Sequence, residues 1–400
     1  MIRRSISAFV VALFLLLVLS GQDVKLQDTS DLQLIPLELS DDENAYLVLQ
    51  QASQHYGQLE AALPVDVRGL VDSYNKADAE QFLKHYAPAL ELFEESSKLE
   101  HAQIPTDYQD VNSMIPNLEK LRELFYANHI YARWLLQQGD AVASLDKAMV
   151  SVRAAQQLSA SRATLLANYF AYGSQSRAFE SLNELLLDKE FSAEQLSAAS
   201  AEIVNFDYQT TFLNGLRGEF MMQQASIGVT KNAVVGRFGF LSLLPKAITT
   251  RIPYLFLPNK TTNGLADSMR RVIRDIAQCG LSQESQEAIE AFQDAKWYKK
   301  NFIGKVLASI LLPNFDTAIN TYCIADAERK LMAVRLSLEA YKSDQGHYPS
   351  ELNELVPTYL VALPKDPFSG DMPFYDGTLL SFTEAAKYKK SASLLTHLLN

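Results

Sequence analysis

The stretch YARWLLQQGDAVASLDKAMVSVRAAQQL, residues 131–158, decides the fold. Ala132 and Trp134 fall in a first helix, Gly139 and Asp140 make a turn, and Leu145, Ala148 and Ala155 line a second helix. Small residues let two helices approach closely, and glycine at the turn supplies the left-handed backbone that reverses the chain. The same texture extends on both sides. From Val65 to Gln224 apolar residues recur at three and four spacing, interrupted by Pro88, Pro105, Pro116, Gly139 and Gly173. Antiparallel helices stacked in layers are the expected outcome, and the fold class is mainly α.

The 131–158 unit resembles a tetratricopeptide repeat. No 34-residue recurrence follows it, which favours a loose helical layer over a regular array. Composition agrees: 16 Gly and 14 Pro in 400 residues are too few for a large sheet protein, while Leu, Ala, Gln, Glu and Ser suit helices. A formal net charge of −11 repels phosphate backbones and argues against nucleic acid as a partner. Ser40 with Glu43 three residues on reads as a capping box that opens the helical body at residues 40–224, and the acidic run Asp41, Asp42, Glu43 suits a first helical turn.

Arg3 and Arg4 followed by the apolar run Ile6 to Leu19 read as a targeting segment, residues 1–22, serving as a signal peptide or a signal anchor. At about 1.5 Å per helical residue the run falls short of a hydrocarbon core of about 30 Å. Export places the chain on the periplasmic side of an inner membrane, released or anchored. Residues 23–39 are polar, end near Pro36 and read as a linker. Two cysteines, Cys279 and Cys323, would be permitted to pair in an oxidising compartment; whether they do stays open, since spacing alone does not bring Cα atoms within bonding reach.

Phe220 to Ala266 holds five basic residues and no Asp or Glu, a segregation in so acidic a chain. Proline and glycine divide it, so residues 225–266 are expected to be irregular. They read either as an excursion packed over the helices with cations snorkelling outward, or as a contact with anionic headgroups. A second acid-free segment, Ala295 to Phe315, has a polar aromatic head and an apolar tail, as a helix entering the core would; it closes a helical segment at 267–319. The candidate membrane or partner contacts are Lys231, Arg237, Phe238, Phe240, Lys246, Arg251, Trp297, Lys299 and Lys300.

Residues 320–400 carry the most specific text. Leu331, Val334, Leu338 and Tyr341 have helical spacing, and from Leu338 the chain reads L-x-x-Y-x-x-D-x-G-x-Y-P. Leu363-Pro364-x-Asp366-Pro367-Phe368-x-Gly370 follows, then Phe374-Tyr375-Asp376-Gly377-Thr378-Leu379, whose Asp-Gly pair predicts a β-hairpin. Gly346 suits a positive φ after the helix, and Tyr348-Pro349 sets an extended exit. Tyr341, Asp344, Gly346, Tyr348, Pro349, Leu352, Leu363, Pro364, Asp366, Pro367 and Gly370 together resemble the C-terminal half of the major pseudopilin of type II secretion. The resemblance implies a helix, a turn and a small antiparallel sheet, with these residues as scaffold. Bacterial exported proteins longer than pseudopilins share this tail, and Glu43-Asn44-Ala45-Tyr46, Leu216-Arg217-Gly218-Glu219 and Asn301-x-Ile303-Gly304-Lys305 are further traits of that group. The prepilin leader and the late acidic calcium loop are missing, and Lys387, Lys389 and Lys390 stand after the hairpin, so no metal site is carried over.

The six histidines stand singly, without the fixed spacing of a zinc site, and there is no nucleophile elbow, phosphate loop or dinucleotide fingerprint. Arg217 and Glu219 sit two apart and diverge on a helix, which suits separate structural partners. The expectation is a non-enzymatic helical scaffold or binding protein of the cell envelope, without cofactor, whose partner is an envelope protein or a membrane surface. The alternatives are a periplasmic, hydrolase-like enzyme whose residues assemble only in space, and an accessory subunit of a secretion or pilus-like system.

Overall fold

The computed structural model describes residues 23–62, 65–105, 107–108, 117–188, 191–237, 256–296, 300–388 and 396–399. Thirteen helices follow one another among them: α1 (Ala45–Ala62), α2 (Val67–Asp72), α3 (Lys76–Lys98), α4 (Leu118–Gln137), α5 (Ala141–Ala160), α6 (Leu165–Asp188), α7 (Ala193–Val204), α8 (Tyr208–Arg237), α9 (Pro258–Asp275), α10 (Gln283–Gln293), α11 (Phe302–Leu311), α12 (Phe315–Gln345) and the short α13 (Ala385–Tyr388). Strands β1 (Phe374–Tyr375), β2 (Leu379–Ser381) and β3 (Thr396–Leu398) form one antiparallel sheet in the order β1-β2-β3. The fold is mainly α with a small C-terminal sheet, as the sequence indicates; the third strand is an addition to the expected hairpin. The chain divides into two compact units, one of Ile35–Thr106, Met114–Gly215 and Ile319–Asn400, the other of Met1–Leu34, Asp107–Ser113 and Leu216–Ala318.

In the first of these, the α4–α5 hairpin forms as its residues dictate. Gly139 takes φ +88°. Its amide bonds Leu136 O at 3.0 Å while the Asp140 amide bonds Leu135 O at 3.1 Å, which satisfies the last carbonyls of α4. The Asp140 carboxylate then accepts the Ala143 amide at 3.0 Å and caps α5. Helix α5 also packs on α6, and α1 on α3. A core of Tyr56, Phe82, Tyr86, Phe93 and Phe125 fills the layer, with Phe82 and Tyr86 stacked at 4.4 Å.

Three sequence expectations need correction here. Pro88 and Gly173 do not interrupt the helices, since α3 and α6 run through them. A helical proline costs about 3 kcal/mol, but Phe82, Tyr86, Leu90 and Phe93 are buried from the same helix, at about 1.5–3 kcal/mol for each large apolar side chain. Nor does Ser40 cap α1. Ser40 and Glu43 close a turn of their own, with the Ser40 hydroxyl donating to the Glu43 carboxylate at 2.5 Å. The helix begins at Ala45, and it is Asn44 Oδ1 that accepts the Tyr46 amide, at 3.1 Å, while also holding the Gln103 amide at 2.9 Å.

From residue 319 onward, α12 is apolar on two sides. Met332, Ala333, Leu336 and Ala340 pack with residues of α4 to α7, and Leu331, Val334 and Leu338 pack with Leu355, Leu380 and Phe382 of the tail. A helix apolar around its circumference belongs in the interior. The stretch Phe302–Gln345 has the length and composition to cross a membrane. It is broken into α11 and α12 around Pro313, and from residue 326 on α12 is largely buried in protein.

The tail motif is scaffold. Gly346 leaves α12 at φ +77°, its amide on Lys342 O at 2.8 Å. The Tyr375 hydroxyl donates to Pro349 O at 2.8 Å and ties β1 to the Tyr-Pro segment. Asp366, only 2 % exposed, accepts the Phe368 amide at 2.9 Å and the Ala385 amide at 3.1 Å. Asp376 accepts the amides of Thr378 and Leu379, with Gly377 at φ +86° in the predicted turn.

The second unit is organised on α9. Residues expected to form a linker lie along it: the Asn263 amide group donates to Lys25 O at 2.9 Å and its carbonyl accepts the Gln27 amide at 3.0 Å, while Arg270 holds Asp31 through two bonds of 2.7 and 2.9 Å. The irregularity expected for 225–266 does not hold at its ends, since 225–237 continue α8 and 258–266 open α9; residues 238–255 lie outside the described ones. Gly264 and Gly304 permit close packing, because a Cβ on the first would meet the Phe292 ring and on the second the Thr261 hydroxyl at 2.0 Å.

Candidate functional site

Of the residues singled out from sequence, Lys231 stands exposed on α8 and Lys300 is half-buried before α11. The Arg237 side chain, Phe238, Phe240, Lys246, Arg251, Trp297 and Lys299 lie outside the described residues. What the structure gives is the framework that flanks them. Leu257, the residue before α9, has no side-chain cap to offer. Asp23 supplies one: its Oδ2 accepts the Asn259 amide at 2.8 Å and its Oδ1 the Lys260 amide at 3.1 Å. Asn301, 1 % exposed and at φ +65°, accepts the Leu257 amide at 2.7 Å and donates to the Thr261 hydroxyl at 3.0 Å. Asp23, Leu257 and Asn301, the last of them the residue before α11, therefore meet at the first turn of α9.

The second feature is a cavity of about 640 Å³ in the larger unit. The end of α6 (Leu186, Leu187, Asp188), Phe191, Leu196 of α7, Arg335, Glu339, Lys342 and Ser343 of α12, and Gly346 and Tyr348 of the following turn line it. One turn of helix separates Arg335 from Glu339, so the two side chains stack and Nη2 reaches Oε1 at 2.9 Å. The Tyr348 hydroxyl donates to the same oxygen at 2.6 Å. Lys342 lies with its ammonium 4.6 Å from the Tyr348 ring centre and 3.4 Å from its hydroxyl. Burial first, and then the Glu339 carboxylate, push the Tyr348 phenol well above its ordinary range, so it stays a proton donor. The Arg335 side chain is 4 % exposed, and its Nη1 has no hydrogen-bond partner among the described residues.

Leu186, Leu187, Phe191 and Leu196 give the lining its apolar part, and Arg335, Glu339, Lys342 and Tyr348 most of its polar part. Its one hydroxymethyl group, Ser343, is committed to Phe191 O at 2.9 Å, and the lining holds neither histidine nor cysteine. Sequence reasoning passed over Arg335, Glu339 and Lys342 because it read that helix only for its apolar spacing. The usable signal was the charge itself: an Arg and a Glu four apart inside a helix apolar on both sides must find each other or a ligand.

Elsewhere in the larger unit, His129, almost fully buried, bonds Glu184 at 2.9 Å, and Asp326 and Arg329 form an inner pair at 2.7 Å, with Arg329 also donating to the final carbonyls of α7 at Ile203 and Val204. These serve packing. Among the described residues no three His, Cys, Asp or Glu side chains stand together as metal ligands would. Neither cysteine is a free thiol, Cys279 and Cys323 both being disulfide-bonded. No family model, curated protein or solved structure matches this chain.

Proposed function

We propose that the protein is a non-enzymatic binding protein of the bacterial cell envelope, attached at the periplasmic face of the inner membrane through the smaller unit. The observation that carries this reading is the meeting of Asp23, Leu257 and Asn301 at the first turn of α9. Three stretches with membrane-seeking composition adjoin these residues in sequence: the apolar run Ile6 to Leu19, the acid-free segment that contains Leu257, and the Trp297–Lys300 head. Basic residues near an anionic surface gain about 1 kcal/mol each, and aromatic rings anchor at the interface. The disulfide state of both cysteines supports an oxidising compartment. The order helix, Gly346 turn and small sheet supports a pseudopilin-like tail used here as a packing module.

Cell fractionation with vesicle flotation tests the reading. The full chain should sediment with envelope membranes, resist thiol alkylation before reduction, and float with vesicles containing phosphatidylglycerol but not with phosphatidylcholine alone. Lys246→Glu with Arg251→Glu should weaken flotation several-fold. Recovery from the cytosol with alkylatable cysteines, or flotation indifferent to lipid charge and to both substitutions, would overturn it.

A further inference from the structure

We propose that the cavity between α6, α7 and α12 binds a small organic acid, its carboxylate on Arg335 and Lys342 and its apolar body along Leu186, Leu187, Phe191 and Leu196. The inference rests on the reading of the chain as a binding protein and is independent of how the chain meets the membrane.

Four observations lead to it. The volume of about 640 Å³ falls in the ordinary range for small-molecule sites, roughly 300–1,000 Å³. The guanidinium of Arg335 satisfies Glu339 with Nη2 and leaves Nη1 buried without an acceptor. A buried donor left unmet on a charged group is unfavourable, and a carboxylate oxygen would satisfy it. Of the two acids among the described lining residues, Glu339 has a side chain 12 % exposed, and its Oε1 already takes both Arg335 and Tyr348. Asp188 is the other acid and lies exposed to water at the rim, where its charge is screened. Among the described lining residues the inner end thus holds two cationic side chains, Arg335 and Lys342, to one carboxylate, Glu339. Leu187 is 57 % exposed at the end of α6, an apolar rim of the kind that a ligand's hydrocarbon part covers. Gly346 adds no side chain on the opposite side; a Cβ there would touch nothing.

A single carboxylate bearing an apolar group satisfies both parts of the lining. Two sources carry that chemistry: a free medium-chain fatty acid, and the C-terminal end of a peptide finishing in leucine.

Calorimetric titration of the full chain in mild detergent-free buffer, with decanoate, decanol, decyltrimethylammonium and N-acetyl-Leu-Leu as probes, tests the proposal. Saturable one-site binding of decanoate or of the peptide acid supports it, and the tighter of the two identifies the source. Decanol and the cationic probe should bind at least tenfold more weakly. Lys342→Met, and Leu187→Ser on the exposed rim, should each weaken the acid by fivefold or more while leaving the thermal midpoint in place. Arg335→Lys, which retains a cation for Glu339 but loses the planar fork, should do the same. The proposal fails if neither acid binds the folded chain, if decanol binds as tightly, or if Lys342→Met and Leu187→Ser bind like the parent.

Discussion

The carboxylate of Asp23 accepts the backbone amide of Asn259 at 2.8 Å, so the first turn of α9 is completed by a residue 236 positions away in sequence. Pro258 at the head of that helix has no amide to satisfy, and the next two amides both go to Asp23. A carboxylate there also meets the positive end of the helix dipole. Asp23→Ala should destabilise the smaller unit by about 1 kcal/mol. Hydrogen exchange should quicken at Asn259 and Lys260, and trypsin should cut at Lys25 sooner. Unchanged exchange at those two amides would show that water replaces the cap without loss.

Gly304 lets α11 lie against α9, because a methyl group in its place would stand 2.0 Å from the Thr261 hydroxyl oxygen. Thr261 is fully buried and its hydroxyl already donates to Leu257 O at 2.9 Å, so it cannot swing away cheaply. Gly304→Ala should cost roughly 1–3 kcal/mol through overpacking, read as a lower urea midpoint. Thr261→Ala in the same chain should recover part of the loss, since it removes the nearest obstructing atom and leaves the Asn301 amide, whose oxygen would stand 2.4 Å away. Strict additivity of the two losses would contradict the contact.

The sequence revealed those elements whose cause is local. Gly139 and Asp140 reverse the chain between α4 and α5 through their own backbone and carboxylate, and Asp376-Gly377 does the same between β1 and β2. Where the cause is distant, the reading failed. Pro88 looks like a stop until the burial of Phe82, Tyr86 and Phe93 is known. Ser40 has the spacing of a cap, but Asn44 takes the helix because Gln103, 59 residues on, shares its side chain. The cavity was invisible for the same reason. Arg335 and Glu339 are plain at spacing four, yet only the folded chain brings Tyr348 and the leucines of α6 around them.

Asp275 gives the smaller unit a pH dependence of known sign. Burial raises its carboxyl, but the hydroxyls of Ser285 and Ser282, the Ser282 amide and Arg274 outweigh this and bring it down to about 2 from an ordinary 3.8. Its side chain is 3 % exposed. A depressed folded value means that the stabilisation, roughly 2 kcal/mol, is complete above pH 3.8 and fades as pH falls toward 2. Asp275→Asn should therefore be less stable than the parent at neutral pH by about that amount, with the gap closing between pH 4 and 2. Urea unfolding of both proteins across this range checks it; a gap independent of pH would mean that Asp275 acts through shape alone.

Asp366 holds the tail by two amides rather than by a cation. Its oxygens accept Phe368 within the Asp-Pro turn and Ala385 at the head of α13, 19 residues later, so one buried carboxylate closes the turn and fixes the chain after β2. Removing it strands two amide donors, and a buried donor without a partner costs about 1–3 kcal/mol. Asp366→Ala should lower the unfolding midpoint and free the amides of Leu380 and Phe382 to exchange, while α4 and α5 keep their protection. Asp366→Asn retains one acceptor oxygen and should fall between the two. If α4 and α5 lost protection to the same extent as the tail, the tail would be inseparable from the body that α12 shares with it, and its description as a packed module with its own closing bond would be wrong.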